Sequence, residues 1–241
     1  HRCPEHAARS MGGRRTSPCP SSEPVAYAAA VNRSAILQFL VRFTRLQIGL
    51  FVFSFSIALM LEAHIGLDPW SSFHDGVTKH SSMSFGRISQ VTGLGLIVVS
   101  ALFLNVRPGL GTIFNMIVIG PWIDLLRVQP WLPVAPGGIE GTFQMVGGML
   151  LMGMATGLYI GANFGAGPRD GFILGLTDRF KKSLRVTRVA VELTVLSSAW
   201  LLGGALGWGT LIFALGMGPI MQMSLRWMRV QPPLRKTTPT D

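Results

Sequence analysis

Gly66-Leu-Asp-Pro-Trp70 follows the first long apolar run of the chain, and Gly165-Ala-Gly-Pro-Arg169 follows another such run 99 residues later. Each stretch stops one helix and starts the next. Glycine allows the backbone a left-handed turn. Proline three residues on suits a first helical position, where its missing N–H costs nothing.

The match extends well beyond the breaks. At the same shift of 99, Gly49 aligns with Gly148, Leu59 with Leu158, Ala63 with Ala162, Phe73 with Phe172, Gly76 with Gly175, Thr78 with Thr177 and Ser84 with Ser183. After a one-residue gap, Gly109-Leu-Gly-Thr112 aligns with Gly207-Trp-Gly-Thr210, and Gly120-Pro121 with Gly218-Pro219. The chain is therefore a duplication.

Outside the breaks the sequence is apolar in runs of spanning length, about 20 residues. Six are expected to cross: 35–61, 88–106, 111–126, 141–162, 186–206 and 208–227. Two shorter helices, 69–80 and 168–180, follow the two breaks. At 1.5 Å per residue they reach only ~18 Å of the ~30 Å hydrocarbon core, so they are expected to be re-entrant or interfacial. Domain boundaries follow: a disordered cytosolic tail over 1–33, a membrane repeat over 34–128, a Pro/Gly-rich connector over 129–140, a second repeat over 141–228 and a C-terminal tail over 229–241. No apolar stretch with a cleavage site precedes the first helix, so the N-terminal stretch reads as a tail and not a signal peptide.

Composition agrees. Apolar residues make up 49% before 29 glycines are added, and charged residues only 13%, half the level of soluble chains. That is too little polar surface for a soluble globule of 241 residues. The net charge of +10 does not indicate nucleic-acid binding, because the basic residues sit in tails and between apolar runs. With six crossings, all of the 21 Lys and Arg except Lys79, Arg87 and Arg127 fall on the side of the N-terminus. The positive-inside rule then puts both termini in the cytoplasm. Cys3 and Cys19 lie in the N-terminal tail and give the core no disulfide framework.

Three crossings per half is an odd number, so the halves are expected to face opposite ways. The expected fold is all-α and polytopic, with two inverted three-helix repeats, the plan of many secondary transporters. Paired breaks in that plan point to the binding site. Each presents a helix N-terminus, with free N–H groups and the positive dipole end, to an anionic or carboxylate-bearing ligand.

The same residues resemble a known family, the YczE-like bacterial membrane proteins related to the wider YitT group. Ala58-Leu-Met60, Gly66-Leu-Asp-Pro-Trp70, Ser84-Phe-Gly86, Arg107-Pro-Gly-Leu-Gly-Thr112 and Ile119-Gly-Pro121 carry the resemblance in the first half. Ala155-Thr-Gly-Leu-Tyr-Ile-Gly161, Gly167-Pro-Arg-Asp-Gly171 and Gly216-Met-Gly-Pro219 carry it in the second. Ser71 departs from it, since the family pattern commonly has Asp after Pro-Trp. The resemblance implies an integral plasma-membrane protein with no established biochemical activity.

The candidate ligand-binding residues are Asp68, Pro69, Trp70 and Ser71 at the first break, Asn163, Pro168, Arg169 and Asp170 at the second, and Asn115 in the third span. Arg169 has the charge to grip an anion, and Asp170 suits the first turn of its helix. Asp68 precedes a proline and is also an N-cap residue type. Glu192 is an intramembrane carboxylate and a coupling candidate, with Arg188 one turn away as a competing ion-pair partner. Glu62 has Gly161 as its counterpart and reads as a gate or a relic asymmetry. Gly153, Gly157 and Gly161, four apart, form a small-residue face expected to pack the two repeats together, with a homodimer contact as the alternative. Trp122, Trp131, Trp200 and Trp208 read as interface anchors.

His64, His74 and His80 lack metal-site spacing, and no Walker A, HExxH or G-x-S-x-G pattern occurs, so neither a metal, a cofactor nor an enzymatic activity is expected. The expected partners are membrane lipid and a small anionic substrate, with no nucleic acid. The transporter reading competes with a non-transporting scaffold or regulator that binds a partner protein.

Overall fold

Both Gly–Pro stretches break the backbone, and they break it in the same way. Gly66 and Gly165 have φ of +108° and +114°, and the residues two before them, His64 and Asn163, are left-handed at +54° and +59°. The turn before each last helix repeats too, with Asn105 at +54° and its counterpart Gly203 at +67°. The computed structural model of the chain describes residues 23–165 and 167–228, with side chains from residue 35 onward. The tails 1–22 and 229–241, with Cys3 and Cys19, lie outside the described residues.

Among the described residues the chain is helical throughout, with no strand. The helices are α1 (Glu23–Leu61), α2 (Pro69–Lys79), α3 (Phe85–Phe103), α4 (Leu110–Arg127), α5 (Gly138–Gly161), α6 (Pro168–Phe180), α7 (Leu184–Leu201) and α8 (Trp208–Trp227). The order long, short, long, long occurs twice. Helix starts are also duplicated: Ser84 and Ser183 each accept the N–H of the residue three on. Thr112 and Thr210 each reach back to accept the N–H of Gly109 and Gly207. α1 starts at Glu23, inside the stretch expected to be an unstructured tail, because the Ala-rich sequence around 26–30 favours helix. The described residues divide into two units at Leu40 and Val41, and the packing and the site described below lie in the second.

Among the described residues five helices are long and apolar enough to cross a membrane: α1 from Ala35 to Leu61, α3, α4, α5 and α8. α7, expected as a further span, is not among them. Its 18 residues include Arg185, Arg188 and Glu192, too many charges for an ordinary apolar span.

The core lies between α1 and α5, the counterparts in the two halves. A side-chain carbon added to Gly49 would stand 2.9 Å from the Tyr159 backbone, and one added to Gly148 would stand 2.6 Å from Met60. Gly141, at the start of α5, abuts the carbonyl of Ala63 at the end of α1. Contact thus runs from the end of one helix to the start of the other, so α1 and α5 are antiparallel. Met60, Met145, Met149 and Met152 fill the seam with Leu46, Leu50 and Ile57, the flexible thioethers fitting an irregular gap. The small-residue face of α5 does not join the halves. Gly153 meets Ile220 and Gly157 meets Ser224 and Met228, so this face packs on α8 and its end within the same half. The joining role falls to Gly49 and Gly148, one further round the helix surface.

The short helices cross over between halves. α2 packs on α7, and α6 on α3. Each break bonds the other half's last turn in the same way: Gly209 N–H donates to Ile65 O at 2.8 Å, and Gly111 N–H to Phe164 O at 2.9 Å. The halves are thus related by a reciprocal, two-fold exchange of contacts.

Beyond that bond the two sides differ. Leu67 N–H and the Ser72 hydroxyl both donate to Ala205 O, at 3.1 and 2.9 Å. Ala205 N–H donates to Asp75 at 2.9 Å, and Lys79 donates to Gly203 O at 2.7 Å while pairing with Asp75. The counterparts on α6 are Gly171, Leu174 and Asp178, which offer no side-chain donor. There, between α6, α3 and the turn before α4, a cavity of about 180 Å³ is lined by Ile97, Ser100, Val106, Pro168, Gly171 and Leu174 among others.

Candidate functional site at the paired helix breaks

Pro69 and Pro168 occupy the first positions of α2 and α6 and are buried. The next residues in each half, Trp70 and Arg169, are equivalent under the repeat, and they meet. The Arg169 guanidinium lies over the Trp70 ring, 5.1 Å from its centroid. It also reaches to 3.6 Å from Asp68 Oδ2. The same Asp68 oxygen accepts the Ser71 N–H at 3.3 Å, so Asp68 is both the N-cap of α2 and the counter-ion of Arg169. Among the described residues Arg169 donates no hydrogen bond shorter than 3.5 Å, and 30% of its side chain remains exposed.

Around this pair lie polar atoms with no partner. Asp68 Oδ1, Ser71 Oγ and both ring nitrogens of His74 are buried without a hydrogen bond. The three residues are 2%, 1% and 2% exposed, and they lie three apart along one face of α2. The His74 and Phe85 rings meet in a T-shaped contact, with centroids 5.5 Å apart. Burial, with the nearby Arg169 charge adding to it, pushes the His74 imidazole down to about 3. It is neutral at physiological pH, with one nitrogen a donor and one an acceptor. Unpaired buried polar groups of this kind cost about 1–3 kcal/mol each.

Asp170 faces away from this centre. Its Oδ2 accepts the Tyr159 hydroxyl at 3.1 Å, and its Oδ1 lies 3.2 Å from Arg188 Nη2. Arg188 Nε in turn lies 3.4 Å from Glu192. Glu192 thus joins the chain of charges that starts at Asp170, with Arg188 as the link. Asn115 sits at the start of α6, its amide nitrogen 3.5 Å from where a side chain on Gly167 would begin. Asn163 stands apart: it is exposed, and its carbonyl accepts from Arg42 Nη2 at 3.0 Å. Arg42 also donates to Ala162 O at 3.0 Å, so it caps the end of α5.

Several residues here escaped the reading of the sequence. In the sequence His74 carries no signal beyond its lack of metal-site spacing with His64 and His80. Tyr159, one of two tyrosines in the chain, stands out as a hydroxyl in an apolar span. Asp124 accepts the Ser84 hydroxyl at 2.5 Å and the Gly86 N–H at 2.9 Å, holding the start of α3 against α4. Glu62 pairs with Arg127 at 2.8 Å, a contact between helix ends far apart in sequence.

Residues 40–226 match a family described as a family of unknown function (DUF6198). The chain belongs to that family. Among its relatives is the "uncharacterized membrane protein YczE" of Bacillus subtilis (strain 168), 32% identical over 78% of this chain and 87% of that protein. An "uncharacterized protein" of Haemophilus influenzae is 32% identical over 74% of this chain and 83% of its own length. YyaS of Bacillus subtilis is 25% identical over 68% and 83%. No solved structure matches. The matched DUF6198 region contains both breaks and ends one residue before the end of α8. With five apolar helices of spanning length, this member of the YczE-like group is a membrane protein.

Proposed function

We propose that the protein is a small transporter with six crossings, built as two inverted repeats, and that its ligand site is the space between the paired breaks. The observation that carries this reading is the meeting of Trp70 and Arg169. Equivalent positions of two repeats touch only on the axis that relates them, and in inverted-repeat transporters substrate sites lie at that repeat interface, near the midplane. The antiparallel packing of α1 and α5 supports the inversion.

α7 is the sixth crossing in this reading. Val186, Val189, Leu193 and Trp200 are exposed along one face at helical spacing, the pattern of a lipid-facing stripe. Two of its three charges, Arg188 and Glu192, pair with each other, and Arg188 also pairs with Asp170 of α6. Both termini are cytoplasmic in this reading, which the charge distribution supports. Access then comes from the inner side, where the cavity beside α6 adjoins Pro168 and Arg107, while hydrogen bonds to Ala205 close the outer side. Arg169, with its free donors, is the anchor for a carboxylate-bearing or otherwise anionic solute, and the reading calls for no cofactor, metal or covalent chemistry.

The test is binding of small carboxylates to the purified full-length protein by calorimetry. Arg169→Ala is expected to abolish binding while Asp178→Asn, on the far end of α6, leaves it intact. Equal binding in both variants removes Arg169 from the site.

A further inference from the structure

Asp68 and Arg169 lie 3.6 Å apart, and both have capacity left over. Arg169 has donors without acceptors within hydrogen-bond range among the described residues. Asp68 Oδ1 has no donor. A simple anion that takes Arg169 is repelled by the Asp68 carboxylate beside it, and a simple amine that takes Asp68 is repelled by Arg169. Each loses on one side most of what it gains on the other.

We infer that the ligand is a zwitterion, a small amino acid carrying an ammonium and a carboxylate on neighbouring atoms. The inference rests on the breaks being a ligand site and names the class of solute. The ligand carboxylate takes the guanidinium, as a bidentate pair. The ligand ammonium takes Asp68 Oδ1 and the face of the Trp70 ring that Arg169 now covers, an aromatic face suited to a cation. One internal ion pair is thereby replaced by two. Ser71 Oγ and the neutral His74 ring, each able to donate and accept, supply the remaining hydrogen bonds. These atoms are shut in between α2 and its neighbours, so binding separates Trp70 from Arg169 and parts the two short helices.

Calorimetric titration of the full-length protein in detergent uses glycine, L-alanine, L-leucine, L-tryptophan, L-glutamate and L-lysine as probes, with propionate and n-propylamine as single-charge controls. At least one amino acid is expected to bind ten-fold or more tightly than either control. Asp68→Asn, which keeps a capping oxygen for Ser71 N–H, is expected to weaken that amino acid at least ten-fold and to leave propionate unchanged or tighter. Propionate binding as tightly as every amino acid overturns the zwitterion and leaves an anion site. Propylamine binding best overturns both the zwitterion and the anion reading. Absence of binding by every probe, with the protein still folded by its melting profile, overturns the zwitterion and shows that the buried atoms serve water or a structural role.

Discussion

Gly66 and Gly165 hold the same left-handed backbone in different surroundings, and that difference is measurable. A side chain at either position meets the strain of positive φ, about 1–3 kcal/mol. At Gly66 it also stands 2.5 Å from the Gly207 backbone nitrogen, whereas at Gly165 the nearest atom is 3.3 Å away. Gly66→Ala is therefore expected to lower the melting temperature of the detergent-purified protein clearly more than Gly165→Ala. Equal losses would mean that the packing against the last turn of the other half contributes nothing. His74 gives a pH signature. Its value in the fold is about 3 against an ordinary 6.5, so below pH 6.5 the unfolded chain binds a proton that the folded chain refuses. Stability is then lost as pH falls from 6.5 toward 3, by about 1.4 kcal/mol per pH unit from this one group. Melting scans at pH 7, 6 and 5 are expected to show a decline that is smaller in His74→Gln; identical slopes would show that the imidazole protonates freely in the fold. Asp68, Trp70 and Arg169 were legible in the sequence because a Gly–Pro break marks its own neighbours. His74 was not, since nothing local to a histidine on a short helix says which way it is buried.

At the scale of the helix, the repeat explains more than the sequence of either half does alone. Gly86 and Gly120 press α3 against α4, each abutting the other's carbonyl. Their counterparts are Arg185 and Gly218, and a side chain at Gly218 meets nothing within 4 Å. The first half thus closes a helix pair that the second leaves open. Gly86→Ala or Gly120→Ala is expected to destabilise the protein by several kcal/mol or prevent its folding. Gly218→Ala is expected to stay within about 0.5 kcal/mol, as at other unconstrained exposed sites. A large loss from Gly218→Ala would point to a contact between α8 and a neighbour outside the described residues. Six of the eight helices sat close to their expected limits because apolar runs and caps are local signals. α1 began early because alanine carries helix past the last spanning residue. The apolar residues of α7 read as a span, whereas its three charges in 18 residues set it apart from the other five.

For the whole molecule, the duplication was legible and the contacts between its halves were not. Register matches at 99 and 98 residues establish that two halves exist, but not that α2 leaves its own half to pack on α7 while α6 packs on α3. That exchange depends on where helices end in space. Opposite senses for α1 and α5 follow from three crossings per half, but that these two helices pack on each other appears only when Gly49 meets Tyr159 and Gly148 meets Met60. In the transporter reading proposed above, the asymmetry between the tied α2 side and the cavity beside α6 corresponds to one of the two states of alternating access. In the proposed arrangement the two halves enter the membrane in opposite senses. It is tested most directly by labelling single cysteines at His80→Cys and Lys182→Cys, with Cys3 and Cys19 replaced, using a membrane-impermeant maleimide on intact cells. Opposite insertion predicts that the cysteine at 80 reacts from outside and the one at 182 only after permeabilisation; reaction of both from the same side would contradict it.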